Sequence, residues 1–337
     1  ARFSHEWLDN IASEPDGSEP DYLIIQHMEP DHSANIGIFM KTYKNTKIVS
    51  TQKSFNMMMQ FFGTDFEDRK ILVGEGNALA LGTHTLTFVT APMVHWPEVM
   101  MTYVPEEKTL FSADAFGSFG VYGAHPDNWV DEARRYYFNI CGKYGTQVAA
   151  ALKKAQMFDI QTVAPLHGCV LTEAALQEAW QLYQTWSSYA AERKGIVVAH
   201  ASIHGHTAEV AENIAQRLSS MGEEVRLIDL CRTDASEAVS QAFKYDRMVL
   251  CASSYDAGVF PPMHIFLYKL GIKGYQSRRI GLVENGTWAP TAGKTMRAML
   301  ETMKDITILS PMLTIRSAWK EENSSTLDEL LCQLSEV

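Results

Sequence analysis

The chain has 337 residues, with 29 Lys plus Arg against 40 Asp plus Glu and a formal net charge of −11. An acidic chain without a concentrated basic stretch is not built to bind nucleic acid, whose phosphates demand a basic face. At 46% hydrophobic and 20% charged it has the composition of a globular protein rather than a disordered one, and its length fits two domains better than one.

No run of about 18 apolar residues occurs, so no membrane span is expected, and the start Ala1-Arg2-Phe3-Ser4-His5 has no secretory h-region. Cys141, Cys169, Cys231, Cys251 and Cys332 form no CxxC pair. That argues against a disulfide framework or a zinc knuckle and fits a reducing cytoplasm.

In the first half, Tyr22–Gln26, Lys47–Ser50, Thr85–Thr90, Met101–Val104 and Thr109–Ala113 read as strands, and Ser33–Tyr43, Phe55–Phe62 and Asp131–Leu152 as helices. The pattern predicts a layered α/β domain with several antiparallel strands. Directly after the first strand comes His27-Met28-Glu29-Pro30-Asp31-His32, dense in metal-capable side chains. Alternation along an extended segment places His27, Glu29 and Asp31 on one side, with His32 following as the chain turns into the next helix. A loop that only capped that helix would use Asp31 and have no need of the rest. His95, Asp114 and His167 each stand just beyond another apolar run. Singly each reads as an ordinary structural residue; together with the first cluster they supply donors for two metal ions, with Asp114 placed to bridge.

Tyr183–Lys194 reads as a helical connector, with Gly195 just beyond as a helix stop, which puts the domains at 1–190 and 195–337. In the second half the β-branched runs Ile196–Ala199, Val225–Leu230, Met248–Ala252, Ile280–Val283 and Ile306–Leu309 alternate with helical stretches. One such stretch repeats Ala208, Ala211, Ile214, Ala215 and Leu218 on a single face. Five βα units imply a doubly wound parallel sheet covered on both faces. The loop Ser202-Ile203-His204-Gly205-His206-Thr207 leads straight into a helix and can cradle a phosphate with backbone N–H groups and hydroxyls; a plain helix cap is the alternative. The loops holding Ser254, Tyr255, Asp256 and Gly258, and Asn285, Gly286, Thr287 and Trp288, follow later strands, at the sheet edge where such folds bind ligands. Tyr255 and Trp288 suit the walls of a site for a flat ring system.

The order H-x-E-x-D-H, then H, D and H, resembles the metallo-β-lactamase superfamily in the variant of the flavodiiron proteins. The hydrolytic branch carries a second His where this chain has Glu29, and a hard oxygen ligand there favours iron or manganese over zinc. The three later loops resemble the FMN loops of flavodoxin. The resemblance implies a metallo-β-lactamase-like αββα domain followed by a flavodoxin-like doubly wound domain with a five-stranded parallel sheet. One iron would take His27, Glu29 and His95, the other Asp31, His32 and His167, with Asp114 bridging; Glu29, Asp31 and Asp114 are the carboxylates of the catalytic centre. His5, His84 and His125 match no motif position. The family's N-terminal strands have no counterpart at the start of this sequence.

The implied function is a cytoplasmic reductase that passes electrons through FMN to a non-haem di-iron site and reduces dioxygen to water, nitric oxide to nitrous oxide, or both. A separate rubredoxin or flavin reductase is the expected donor, since no CxxC pair is present. A head-to-tail homodimer, or a dimer of dimers, is the implied working unit. A zinc-dependent hydrolase with an accessory flavodoxin-like domain is the alternative, and an electron carrier whose metal half serves as a dimerisation scaffold is a further one. Tyr137 reads as a helical core residue or as a donor near the metals.

Overall fold

The strands of the first half sort into two sheets. Tyr22–Ile24, Lys47–Ser50 and Lys70–Leu72 lie side by side and parallel. A six-stranded sheet takes Ala78–Leu81, His84–Thr90, Met100–Val104, Thr109–Phe111, Thr162–Ala164 and Leu171–Thr172 in chain order. Its pairs are antiparallel except Thr109–Phe111 with Thr162–Ala164. A buried cluster of Val49, Val73, Phe88 and Met100 joins the two sheets, while Ile36, Phe39, Phe55 and Met58 seal the helices onto the outer face of the parallel one. The computed structural model describes residues 3–14, 18–120 and 128–335.

The helix expected over 33–43 is two: Pro30–Ser33 and Ile36–Thr42. Pro30 takes the first helical position, where its fixed φ is already suitable and its missing N–H costs nothing. Asp31 therefore sits in a helical turn and not on an extended segment beside His27 and Glu29, a correction with consequences for the site. The helix expected over 131–152 also breaks, into Trp129–Ile140, a short 3₁₀ turn at Gly142–Tyr144, and Gly145–Ala155. At Gly145 a Cβ would stand 2.4 Å from the Ser187 carbonyl oxygen and 2.8 Å from the Tyr189 ring, so only glycine permits this close approach.

The connector expected as a helix over 183–194 is instead the end of helix Glu173–Ser187 and the start of strand Arg193–Ala201. Gly195 lies inside that strand. It stops no helix: a Cβ there would come within 2.6 Å of the Tyr245 ring.

By contacts the chain divides into one unit of residues 1–129 with 146–183 and another of 130–145 with 184–337. Helix Trp129–Ile140 thus packs almost wholly with the second unit. Phe138 stacks on Phe243 at 3.9 Å, and the buried Arg134 guanidinium grips Glu192, with Nη2 donating to Oε2 at 2.7 Å, and also bonds Asp131. Trp186 Nε1 donates to the same Glu192 at 2.6 Å. Removing one member of a buried ion pair strands the other charge. Glu192→Ala is therefore expected to destabilise the second unit by about 3 kcal/mol or more, read as a lowered chemical-denaturation midpoint.

In the second unit the central order is Val225–Asp229, Arg193–Ala201, Tyr245–Tyr255, Arg278–Asn285, Ile306–Ile308, all parallel. Numbered along this unit the order is 2-1-3-4-5, that of flavodoxin. Two short strands go beyond the five expected: Leu313–Ile315 pairs with the far end of Arg278–Asn285, and Gly258–Val259 turns back on Tyr245–Tyr255. Both are too brief to show a period in the sequence. Helices His206–Ser220 and Ser324–Ser335 cover one face against Ile196, Val198, Val249 and Val283. On the other face Val197, Met248, Leu250 and Leu282 are equally buried. Among the described residues no helix is long and apolar enough to cross a membrane.

Candidate metal centre and ligand cleft

The first unit brings its candidate ligands together from four strand ends. His27 and Glu29 follow Tyr22–Ile24, His95 follows His84–Thr90, Asp114 follows Thr109–Phe111 and His167 follows Thr162–Ala164. Their donor atoms form two groups, His27, Glu29, His95 and Asp114 in one and Asp31, His32 and His167 in the other. The turn begun by Pro30 swings Asp31 and His32 into the second group.

In the first group His95 Nε2 lies 3.0 Å from Glu29 Oε2 and 3.1 Å from Asp114 Oδ2, and His27 Nε2 lies 3.4 and 3.5 Å from the same two oxygens. In the second, Asp31 Oδ2 is 3.4 Å from His32 Nε2 and 3.3 Å from His167 Nε2, and Asp114 Oδ1 is 3.2 Å from His32 Nε2. Asp114 thus turns one oxygen to each group. For an ion bonded at about 2.1 Å, neighbouring ligand atoms stand about 3.0 to 3.4 Å apart, which is the spacing found.

The donor chemistry fits cations as well as the spacing does. His27 Nε2 and Asp114 Oδ1 are buried without a hydrogen-bond partner, an expense a protein avoids unless another group satisfies them. His32 Nε2 and His167 Nε2 face each other at 3.0 Å, so they can share at most one proton. Burial works to raise the Asp114 carboxyl, yet the His32, His95 and His27 imidazoles hold it well below the usual carboxylate range. Burial likewise pulls His32 and His95 down, but Asp114 and the neighbouring carboxylates leave both raised. The whole cluster is a cation-seeking field.

Glu98, which carries no motif signal, completes it. Its buried Oε1 accepts from the Met28 N–H at 2.8 Å and lies 2.8 Å from His27 Nδ1. With Glu29, Asp31 and Asp114 it makes four carboxylates, the charge that two divalent ions balance. The available hint was a lone carboxylate three residues after His95, at the edge of the apolar run Val99-Met100-Met101. Of the residues set aside, His5 is exposed on the first helix and His84 pairs with Glu107 at 3.1 Å; His125 lies outside the described residues. Tyr137 belongs to the second unit, packed against Phe138 and Trp186, as a core aromatic.

Gly168 secures the second group. Its φ is +87°, and a Cβ would meet Ser118 Oγ at 2.2 Å, where the Ser118 N–H already bonds the His167 carbonyl at 3.3 Å. Gly168→Ala is expected to push His167 away and lower bound metal toward one ion per chain, measurable by elemental analysis.

In the second unit the three loops converge on a cleft of 730 Å³. Ser202, Ile203, His204, His206 and Thr207 line one end, Ser254, Tyr255 and Asp256 a second side, and Asn285, Gly286, Thr287 and Trp288 a third. Gly205 and Gly258 shape the walls without lining them. Gly205, at φ +99°, sets its N–H 3.1 Å from Ser202 Oγ at the start of helix His206–Ser220, and Gly258 pairs with Tyr255 in the short hairpin. The Ser254 hydroxyl accepts from the Thr291 N–H at 2.8 Å and so ties two loops together. Trp288 is 88% exposed and Tyr255 45%; rings left this open suit a flat ligand to cover them. Ser317 also lines the cleft, bonded to Thr287 at 2.8 Å and to Asn285. It follows the brief strand Leu313–Ile315 and had no signal in the sequence.

Fold and sites define a class: a β-lactamase-like unit with two adjoining groups of metal-capable side chains, joined to a flavodoxin-like unit with an open cleft at its ligand edge. Residues 3–168 match the family described as ODP family β-lactamase. The chain is 26% identical to a nitric oxide reductase of Moorella thermoacetica, over 97% of this chain and 84% of that one. In fold it is similar to the flavodiiron protein of Giardia intestinalis (TM-score 0.90, 22% identity, 99% of this chain and 83% of that one). It is also similar to the rubredoxin oxygen:oxidoreductase of Desulfovibrio gigas (TM-score 0.88, 22% identity, 98% and 85%). The chain is thus similar to flavodiiron proteins in fold along nearly its whole length, with the β-lactamase family match confined to its first half.

Proposed function

We propose that this protein is an oxidoreductase that takes electrons from an external donor through FMN to a non-haem di-iron centre, where dioxygen is reduced to water, nitric oxide to nitrous oxide, or both. The observation that carries this reading is Asp114, one buried carboxylate with an oxygen aimed at each ligand group. One iron is assigned to His27, Glu29 and His95, the other to Asp31, His32 and His167. Bound irons supply electrons and open coordination positions to a diatomic substrate, and bound flavin supplies two further electrons.

The protein's own groups do the positioning. Neutral imidazole Nε2 atoms and the three carboxylates Glu29, Asp31 and Asp114 hold the ions at a set separation. Asp31, Glu29 and His167 are partly exposed while His27 and Asp114 are buried, so substrate enters from the Asp31 side. In the cleft, the first-turn N–H groups of helix His206–Ser220 with Ser202 and Thr207 receive the phosphate, and Tyr255 and Trp288 flank the ring system. The Moorella relative is named for nitric oxide reduction and the Desulfovibrio protein for oxygen reduction with rubredoxin. These names support both substrates and a rubredoxin-type donor. The proposed working unit is a head-to-tail homodimer in the cytoplasm.

The test is metal and flavin content of the purified chain, then anaerobic reduction and separate addition of the two gases. About two irons and one FMN per chain, with rapid reoxidation by one gas, establishes the reductase. Zinc without reoxidation returns the zinc-hydrolase reading, against which Glu29 now stands.

A further inference from the structure

The two ligand groups differ in how firmly they are held. In the first, His27 and Asp114 are buried and the His95 side chain is only 11% exposed, with Glu29 the open member at 36%. In the second, the Asp31 side chain is 49% exposed and that of His167 33%. The firmest single element is the His27 ring. One edge is fixed by Glu98, whose Oε1 lies 2.8 Å from Nδ1 and also accepts the Met28 N–H at 2.8 Å. Trp96 stands edge-on against the ring at 5.3 Å between centroids. The Glu98 side chain is wholly buried and Oε2 has no partner, so His27 is the one titratable side chain that its charge meets at hydrogen-bond distance among the described residues. A carboxylate on Nδ1 keeps the proton there, leaves the Nε2 lone pair facing the metal position, and makes that lone pair more basic.

We propose that Glu98 is a positioning residue for His27, and that through it the inner metal position, of His27, Glu29 and His95, fills before the outer one and more tightly. This rests on the two-metal reading above. The outer position, where Asp31 is half exposed and His167 a third exposed, shows no such carboxylate on His32 among the described residues and is the exchangeable one.

The experiment is anaerobic titration of the metal-free full chain with Co(II), followed by its d–d absorption and by magnetic circular dichroism. The native chain is expected to take up two ions in resolved steps. Glu98→Gln, which keeps an oxygen for both hydrogen bonds and removes the charge, is expected to weaken the first step about 10- to 100-fold, shift its absorption band and leave the second step in place. Glu98→Ala is expected to weaken it further; if that variant does not fold, the isosteric glutamine variant decides. Native affinity and spectrum in Glu98→Gln, or a single unresolved step in the native chain, overturns the proposal. A native chain that takes up no metal overturns the two-metal reading itself, and reductase inactivity with both ions bound touches only the proposed function.

Discussion

Asp114→Ala is expected to lower the affinity for both metal ions together by more than about 100-fold, beyond the loss typical of mutating even an outer partner of a metal ligand. Gas-dependent reoxidation should disappear with the metal. The reason is that Asp114 Oδ2 stands 3.1 Å from His95 Nε2 and Oδ1 3.2 Å from His32 Nε2: one side chain serves both groups, so one truncation takes a donor and a negative charge from each. Asp114→Asn should lose nearly as much, since it keeps the shape but removes the charge that two cations share. The check is iron per chain by elemental analysis alongside flavin absorbance. Flavin should be retained, because its candidate loops belong to the other unit. A variant that keeps two irons would refute Asp114 as the bridge.

The second large effect is expected at the phosphate end of the cleft. Ser202→Ala combined with Thr207→Val removes two hydroxyls at the start of helix His206–Ser220. Hydrogen bonds to a charged group contribute about 1.5–3 kcal/mol each, so the pair should weaken FMN binding by about 10²- to 10⁴-fold, measured by fluorescence titration of the flavin-free chain. In the free protein Ser202 Oγ receives the Gly205 N–H, and Thr207 shares a 2.9 Å bond with Ser253. Circular dichroism must therefore show the loop and helix intact. Unchanged FMN affinity in a folded variant would remove the phosphate from this loop, and unchanged metal content is expected throughout.

Both predictions use residues that were legible before any coordinates. His27, Glu29, Asp31 and His32 stand within six consecutive positions, a density that a structural loop does not need. The flavodoxin-like order was legible because each buried parallel strand must be a continuous apolar run, and runs such as Met248–Ala252 and Ile280–Val283 are visible in one dimension. Tyr255 and Trp288 were legible because loops seldom spend large aromatics without a use.

Other features depend on what meets in space. Glu98 is an isolated carboxylate in the sequence, and only the meeting of the start of strand Met100–Val104 with the segment after Tyr22–Ile24, where the Met100 N–H bonds the Gln26 carbonyl at 3.1 Å, brings it to His27. Alternation placed Asp31 beside His27; Pro30 turned the chain and sent it to the other group. The break at Gly145 and the true role of Gly195 follow from Tyr189 and Tyr245 rings that approach from distant segments. Local order encodes which residue types face inward and where strands end, because those depend on neighbours one to four positions away. Which strand ends converge, which carboxylate backs which imidazole and which helix packs with which unit are set by packing between segments tens of residues apart, and for those only the folded chain carries the information.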